Sequence, residues 1–501
     1  MKKILYTLVV AVLALTSCNE DILDPKPTTK IDASVAFSSP KTLQAFRAGL
    51  YGQGNYYAAN EVPLISGQIA LLSDILGNDM VYGYTWYQAW NSAYSYKVGK
   101  TSNEPENLWM KMYFLQEACN TLVNADIKNI DASIVKQYKA EAKAIRAWVY
   151  FEVAHFFGKA YSLDNGASKA FPYLTTADYN ALPERNTVAK IYEMAIADLE
   201  AALPDLSDKK SVGAYYMNKS AANAILARIY ADMATTDSYK KARDYAREAI
   251  KGIGFMTTAE YKKGLSNGGT NSEAILAFYT DPNQYNKWRS FNSFHDSWDG
   301  MGDDFLCNSS LVEQFANNDI RRGFFLDERY YYKYYDGNVY GGKSYPVSVL
   351  ITTAEQAKGY YTYGKFPRRD VVIGSSRGTL GVGDYIAIRA TEMKLLIAEC
   401  DARIGDNNDE AQTILFDIQK RSIPTAVKTT ETGKALLDLI KLETRKELFG
   451  EGHSLRLIKR WGEGLKRDGS HVAMVDLSPE APEFVWPTPE RETTVNKNLL
   501  K

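Results

Sequence analysis

The sequence predicts a mainly α-helical protein, a scaffold of helical hairpins carrying long aromatic-rich loops and short β-hairpin insertions. Three observations predict it. Apolar residues recur at spacings of three and four through most of the chain. Helical stretches follow one another with only a few residues between them, the spacing of antiparallel helix pairs. Two long stretches, residues 51–106 and 253–387, break the pattern and are rich in Gly, Tyr, Trp, Asn and Ser.

The chain opens with Lys2 and Lys3, an apolar run from Ile4 to Leu15, and then Thr16, Ser17 and Cys18. A charged head, an apolar middle and a small-residue end form a secretory signal, here residues 1–17. The run is too short to cross a bilayer, which takes about 20 apolar residues. Leu15 to Cys18 resembles the bacterial lipobox, whose cysteine is acylated before cleavage, so Cys18 is the expected lipidation site. Each buried lipid CH₂ contributes about 0.8 kcal/mol, and several acyl chains make a lasting membrane anchor. Residues 18–36 read as a solvated tether, with Asn19, Glu20 and Asp21 followed by Pro25, Pro27, Thr28 and Thr29. Acidic residues directly behind the cysteine resemble the surface-export signal of Bacteroidota lipoproteins. The expected location is therefore the outer membrane, facing the cell exterior.

Without Lys2 and Lys3, 57 basic residues stand against 60 acidic ones, with no basic stripe or arm, so a nucleic-acid partner is not expected. Cys119, Cys307 and Cys400 remain after Cys18, too few and too odd for a disulfide framework. Cys119 and Cys400 lie in helical apolar patterns and read as core. Tyrosine and tryptophan are abundant, 35 and 8 residues, which favours surfaces that bind partly polar ligands.

The helices follow in order. Ala142, Ile145, Val149, Val153 and Phe156 form one stripe of a helix from Glu141 to Phe157. Thr187 is the expected N-cap of the next, whose stripe is Val188, Ile191, Ala195, Leu199 and Ala202, closed by Pro204. Asn218 to Met233 is an Ala-rich helix. Ser238 is the expected cap of a partner from Tyr239 to Lys251, with Gly252 beyond its end. This pair spans about 34 residues, the tetratricopeptide period, and Ala242 and Ala249 let its helices approach closely. A second pair is expected from Ile388 to Ile404 and from Asn408 to Arg421, turning at 405–409, with a third helix at about 432–449. Together these predict a right-handed, rigid helical platform. Tyr330 to Tyr335, followed by Asp336 and Gly337, predicts a β-hairpin.

Several segments resemble one family in the right order. Trp109, Tyr113 and Asn120 are similar to its W-x-x-x-Y…A-N segment. Glu141, Arg146, Tyr150, Phe151, Phe157 and Gly158 are similar to E-A-x-x-x-R-A-x-x-Y-F…F-G. Residues 198–204 and 221–230 match two further helices, and Arg389, Glu392, Ala398 and Glu399 resemble R-Y-x-E…A-E. Glu443, Arg445, Glu447, Glu451, Gly452, Arg460 and Trp461 resemble E-R-x-x-E-L-x-x-E-G-x-R-x-x-D-L-x-R-W. Thr444 stands where Arg is usual and Leu457 where Asp is usual, so a weaker internal ion-pair network is expected. Pro487, Pro489, Glu490 and Asn496 resemble the family's ending. The chain is thus similar to the SusD/RagB nutrient-binding outer-membrane lipoproteins. The resemblance implies a single domain over 37–501 and a SusC-like TonB-dependent transporter as partner. It also implies capture of oligosaccharides, or of peptides in the RagB branch, with no chemistry.

Residue chemistry singles out the candidate ligand contacts. Seven of the 15 residues from Tyr82 to Tyr96 are aromatic. A sugar ring offers C–H groups on its face and hydroxyls at its edge. Tyr84, Trp86 and Trp90 can stack on the face, while Asn91, Asp74 and Asp79 can bond the edge. The bland alternative is that these rings are core. A second candidate surrounds Trp288 and Trp298. Asp299, Asp303 and Asp304 can form turns or hold a Ca²⁺; no other cofactor or metal is expected. The Tyr330–Tyr335 run can wall a site or contact the transporter. Arg368 and Arg369 can meet an acidic sugar or pair with Asp370.

Catalysis is not expected. A glycosidase needs two carboxylates flanking the scissile bond, and neighbouring Asp residues in a Gly-rich stretch are more often turn formers. His155, His295, His453 and His471 are far apart in sequence and form no H-E-x-x-H motif. His453 lies in a scaffold motif. Gly381 and Gly383 lack the strand–helix setting of a phosphate loop. The competing readings are peptide capture on the same scaffold, a protein adaptor without a small ligand, and an enzyme.

Overall fold

A computed structural model describes residues 33–52, 62–82, 90–176, 178, 180–281, 291–295, 305–325, 359–361, 364–367, 369–375, 378–469 and 471–501. Helices dominate. The longer ones are α1 (Pro40–Tyr51), α2 (Asn103–Asn124), α3 (Ala132–Phe157), α4 (Val188–Ala202) and α5 (Lys219–Asp232). Then come α6 (Thr236–Ile250), α7 (Ala390–Ile404), α8 (Asn408–Ser422), α9 (Gly433–Leu448) and α10 (Ser454–Trp461). Neighbours in sequence pack on one another, α2 on α3, α3 on α4, α5 on α6, α6 on α7, and α7 on both α8 and α9. This is the expected hairpin scaffold.

The caps show why the helices start where they do. The Thr187 side chain accepts from the Lys190 N–H at 3.1 Å, and the Asn218 side chain from the Ala221 N–H at 2.9 Å. One expected cap moves. α6 begins at Thr236, and Thr235 is its cap. Ser238 instead completes the reciprocal bond, its hydroxyl accepting from the Thr235 N–H at 2.9 Å. Gly405, with φ +78°, ends α7 in the left-handed conformation that glycine adopts most easily.

The second expected helix pair begins later than its periodicity suggests. Tyr385–Arg389 is a strand, β5, and pairs antiparallel with β2 (Ala274–Phe278). Both are buried along their whole length. A short apolar run reads equally well as helix or buried strand, and the long-range partner decides. Region 51–106 is also more regular than expected. Leu64–Ile69 forms one π-helical segment that continues into Ala70–Ile75, and every residue of both is buried. A helix buried on all sides, Ser66, Gln68, Ser73 and Asp74 included, has no polar face to give an amphipathic period, which is why the pattern hid it. The hairpin expected at 330–335 lies outside the described residues.

One apolar cluster runs from Leu43 to Leu499 among the described residues. Cys119 and Cys400 are fully buried within it, as expected of core residues. No helix among the described residues is long and apolar enough to cross a membrane. Lys459 secures the C-terminal segment by donating to the carbonyl oxygens of His155, Gly158 and Phe484 at 2.5–2.9 Å.

The buried ion-pair network is dense, not weak. Arg389 bonds Glu273, Glu447 and Glu451, Arg421 bonds Glu273 and Glu447, and Arg321 bonds Asp319, Glu443 and Glu447. Lys365 pairs with Glu451 at 2.8 Å. Burial opposes ionisation of Glu447, but Arg421, Arg389 and Arg321 outweigh it and hold its carboxyl well below the usual range. The cations come from residues 321, 365, 389 and 421, outside the motif that carries the acids, so Thr444 and Leu457 do not break the network. Thr444 turns its hydroxyl back to the Ile440 carbonyl, 2.8 Å away.

Candidate functional site

Three short strands bring the two aromatic-rich stretches together. β1 (Met80–Tyr82) and β4 (Gly359–Tyr361) flank β3 (Phe305–Asn308) in an antiparallel sheet. In its register Tyr82 faces Phe305. The segment bearing Tyr84 and Trp86 therefore begins beside the point where the segment bearing Trp298 ends. Tyr84, Trp86, Trp288 and Trp298 themselves lie outside the described residues, as do Arg368, Asp299, Asp303 and Asp304.

Beneath that edge lies an aromatic cluster. Trp90 packs against Phe294 at 5.1 Å and Phe305 at 5.7 Å between ring centroids. Tyr82 touches Tyr94 and Phe305, both at 5.6 Å. His295 lies 4.4 Å from Phe366. Trp90 is only 7% exposed, so its faces meet protein. It supports the edge from below, while Asn91, next to it, is exposed and starts the helix Asn91–Tyr94.

Asp74 and Asp79, expected at a ligand's edge, sit differently. Asp74 is 1% exposed and accepts from the N–H groups of Gly452, His453 and Ser454 and from the Ser454 hydroxyl. It anchors the N-terminus of α10, where a negative charge is favoured. Burial raises its pKa to about 6, against the pull of those donors. Asp79 forms a two-pronged pair with Arg445, at 2.9 and 2.5 Å. The Arg445 side chain is 38% exposed. The pair rims a cleft of about 60 Å³ with Asn78, Glu463 and Trp461. Arg445 reads as scaffold in the sequence, and only the fold sets it at a surface opening. Arg369, read as able to meet an acidic sugar or pair with Asp370, lies 3.3 Å from Asp384 and over the Tyr279 ring.

The four histidines are all buried and far from acting as exposed bases. Burial and Lys365 push His295 down to about 3. Burial and Arg467 push His471 down to about 4. The His471 ring bonds the Tyr94 hydroxyl at 2.9 Å and the Asn308 amide at 3.0 Å, joining the candidate edge to the C-terminal segment. A folded-state pKa below the unfolded value of about 6.5 means the unfolded chain binds more protons between pH 6.5 and 4. The contribution of His471 is therefore complete above pH 6.5 and is lost as pH falls towards 4, by about 3 kcal/mol. Denaturant titrations across that window should show the stability advantage of wild type over His471→Gln shrinking with acid. An advantage that stays constant would mean the ring protonates without cost. Among the described residues, no cluster of three or more His, Cys, Asp or Glu is arranged to hold a metal ion.

The described residues form a helical platform with a short antiparallel sheet at which Tyr82 meets Phe305. The comparisons with known proteins agree. A family model described as starch-binding and associating with the outer membrane matches residues 21–231, and the SusD family model matches residues 225–501. The chain belongs to the SusD family. It is 22% identical over 552 residues to SusD-like protein P2 of Formosa agariphila, covering 100% of this chain and 99% of that one. A SusD superfamily structure from Bacteroides thetaiotaomicron superposes with a TM-score of 0.74 at 22% identity, covering 92% of this chain and 98% of the other. The surface glycan-binding protein A of Bacteroides fluxus superposes at 0.69 with 18% identity, over 92% and 98%.

Proposed function

We propose that this chain is a non-catalytic, lipid-anchored surface protein that captures oligosaccharides and passes them to a SusC-like TonB-dependent transporter. The observation that carries the reading is the pairing of Tyr82 with Phe305, which sets the chain position leading on to Trp86 beside the one that follows Trp298 in sequence. It is supported by family membership and by the glycan-binding description of the Bacteroides fluxus protein, whose fold is similar. Stacking on Trp86 and Trp298, with Tyr84, Trp288 and Asn91 beside them, would supply the capture energy. Micromolar to millimolar binding takes only about 4–8 kcal/mol.

The test is native electrophoresis of the mature chain, begun after Cys18, in gels containing a panel of plant, host and microbial polysaccharides. One glycan class should retard wild type, and Trp86→Ala/Trp298→Ala should run unretarded. Shortened glycan products would overturn the non-catalytic reading, and indifference to every glycan would favour peptides.

Lipidation at Cys18 is the second part of the proposal. Cys18→Ser should abolish incorporation of labelled fatty acid and leave the chain out of the outer-membrane fraction. Retention of both label and membrane association would place the anchor elsewhere.

A further inference from the structure

A small cavity lies between α7, α9 and α10. It is lined by Leu395, Thr444, Leu457, Arg456 and Arg460, with Glu392 at its wall, and has a volume of about 10 Å³. That is close to the space one water or one monatomic ion occupies. The two guanidinium groups are nearly sealed from solvent, at 2% and 4% exposure of their side chains. Arg456 Nε and Nη1 and Arg460 Nε have no hydrogen-bond acceptor among the described residues. Buried donors of this kind almost always find a partner.

The carboxylates nearby are already shared. Glu392 accepts from both Arg228 and Arg456, and Glu399 from both Arg403 and Arg460. Asp232 acts on Arg456 and Arg460 only through space, its hydrogen bond going to His155. Leu457, whose side chain accepts no hydrogen bond, is one of the walls. The larger cleft at Arg445 shares the lining residues Thr444, Leu448 and Leu457 with the cavity, so only these side chains need move to admit an ion.

We infer that this cavity is a structural site for a small monovalent anion, chloride in practice, held between Arg456 and Arg460 in place of an internal carboxylate. The ion satisfies guanidinium donors that have no acceptor among the described residues and screens the repulsion between two cations on the same face of α10. Gluconate is too large to enter.

The experiment uses the mature chain in two ways. Crystals grown in bromide should show an anomalous peak between Arg456 and Arg460. In solution, replacing gluconate by chloride at constant ionic strength should raise the unfolding midpoint. Above the dissociation constant, each tenfold rise in chloride should shift the folding equilibrium by about tenfold. Leu457→Asp, which supplies the missing carboxylate, should lose that dependence. If this variant fails to fold, the bromide peak and the wild-type titration still decide. A cavity without an anomalous peak, or a wild-type midpoint indifferent to chloride, overturns the inference.

Discussion

Glu447→Gln should lower the stability of the folded chain by about 3–5 kcal/mol, the usual cost of breaking a buried ion pair from one side. Glu447 is fully buried and receives Arg321, Arg389 and Arg421 at 2.5–3.0 Å, and its own carbonyl takes Lys365 and Arg389. An amide of the same shape keeps the packing but leaves three guanidiniums with less compensating charge than they need. The exposed Lys434–Asp438 pair is the control, since Lys434→Ala should cost under about 1 kcal/mol. Urea midpoints of the two variants against wild type give the comparison. Equal small losses would show that the buried network is no stronger than a surface pair.

Trp90→Ala should cost about 3–5 kcal/mol, as large-to-small changes of buried aromatics do. The ring fills the space between Phe294 and Phe305, and these belong to segments about 200 residues away in the chain. Its removal opens a cavity under the edge from which the Trp86 and Trp298 segments leave. The effect should appear first in the unfolding midpoint and only then in glycan retardation. Trp86→Ala should instead act on retardation directly. If Trp90→Ala abolished binding at unchanged stability, the ring would be a ligand platform after all, and its burial would have to be relieved when ligand arrives.

The same residue shows how far a site is legible in a sequence. Aromatic density between Tyr82 and Tyr96 marks a region of interest, but density does not separate platform from pillar. Trp90 and Asn91 are neighbours in the chain, one buried and the other exposed, and nothing in their spacing says which is which. Asp74 and Asp79 make the point for charge. Both look available beside the aromatic stretch. One accepts the amides opening α10 and the other meets Arg445, partners more than 360 residues away. The ion-pair network fails in the other direction. Motif departures at Thr444 and Leu457 suggest weakness, while the cations that matter enter from distant segments.

What the sequence determined by itself is local. Periodicity and caps such as Thr187 and Asn218 specify most helices, because a helix closes its hydrogen bonds within a few residues and its caps are adjacent to it. The ordered motifs were enough to predict the family. Tertiary structure alone decided whether Tyr385–Arg389 is strand or helix, that Leu64–Ile75 is a buried core helix, and which carboxylates face protein. These outcomes depend on partners distant in the chain, and burial is a property of the assembled fold that no residue carries in its own side chain.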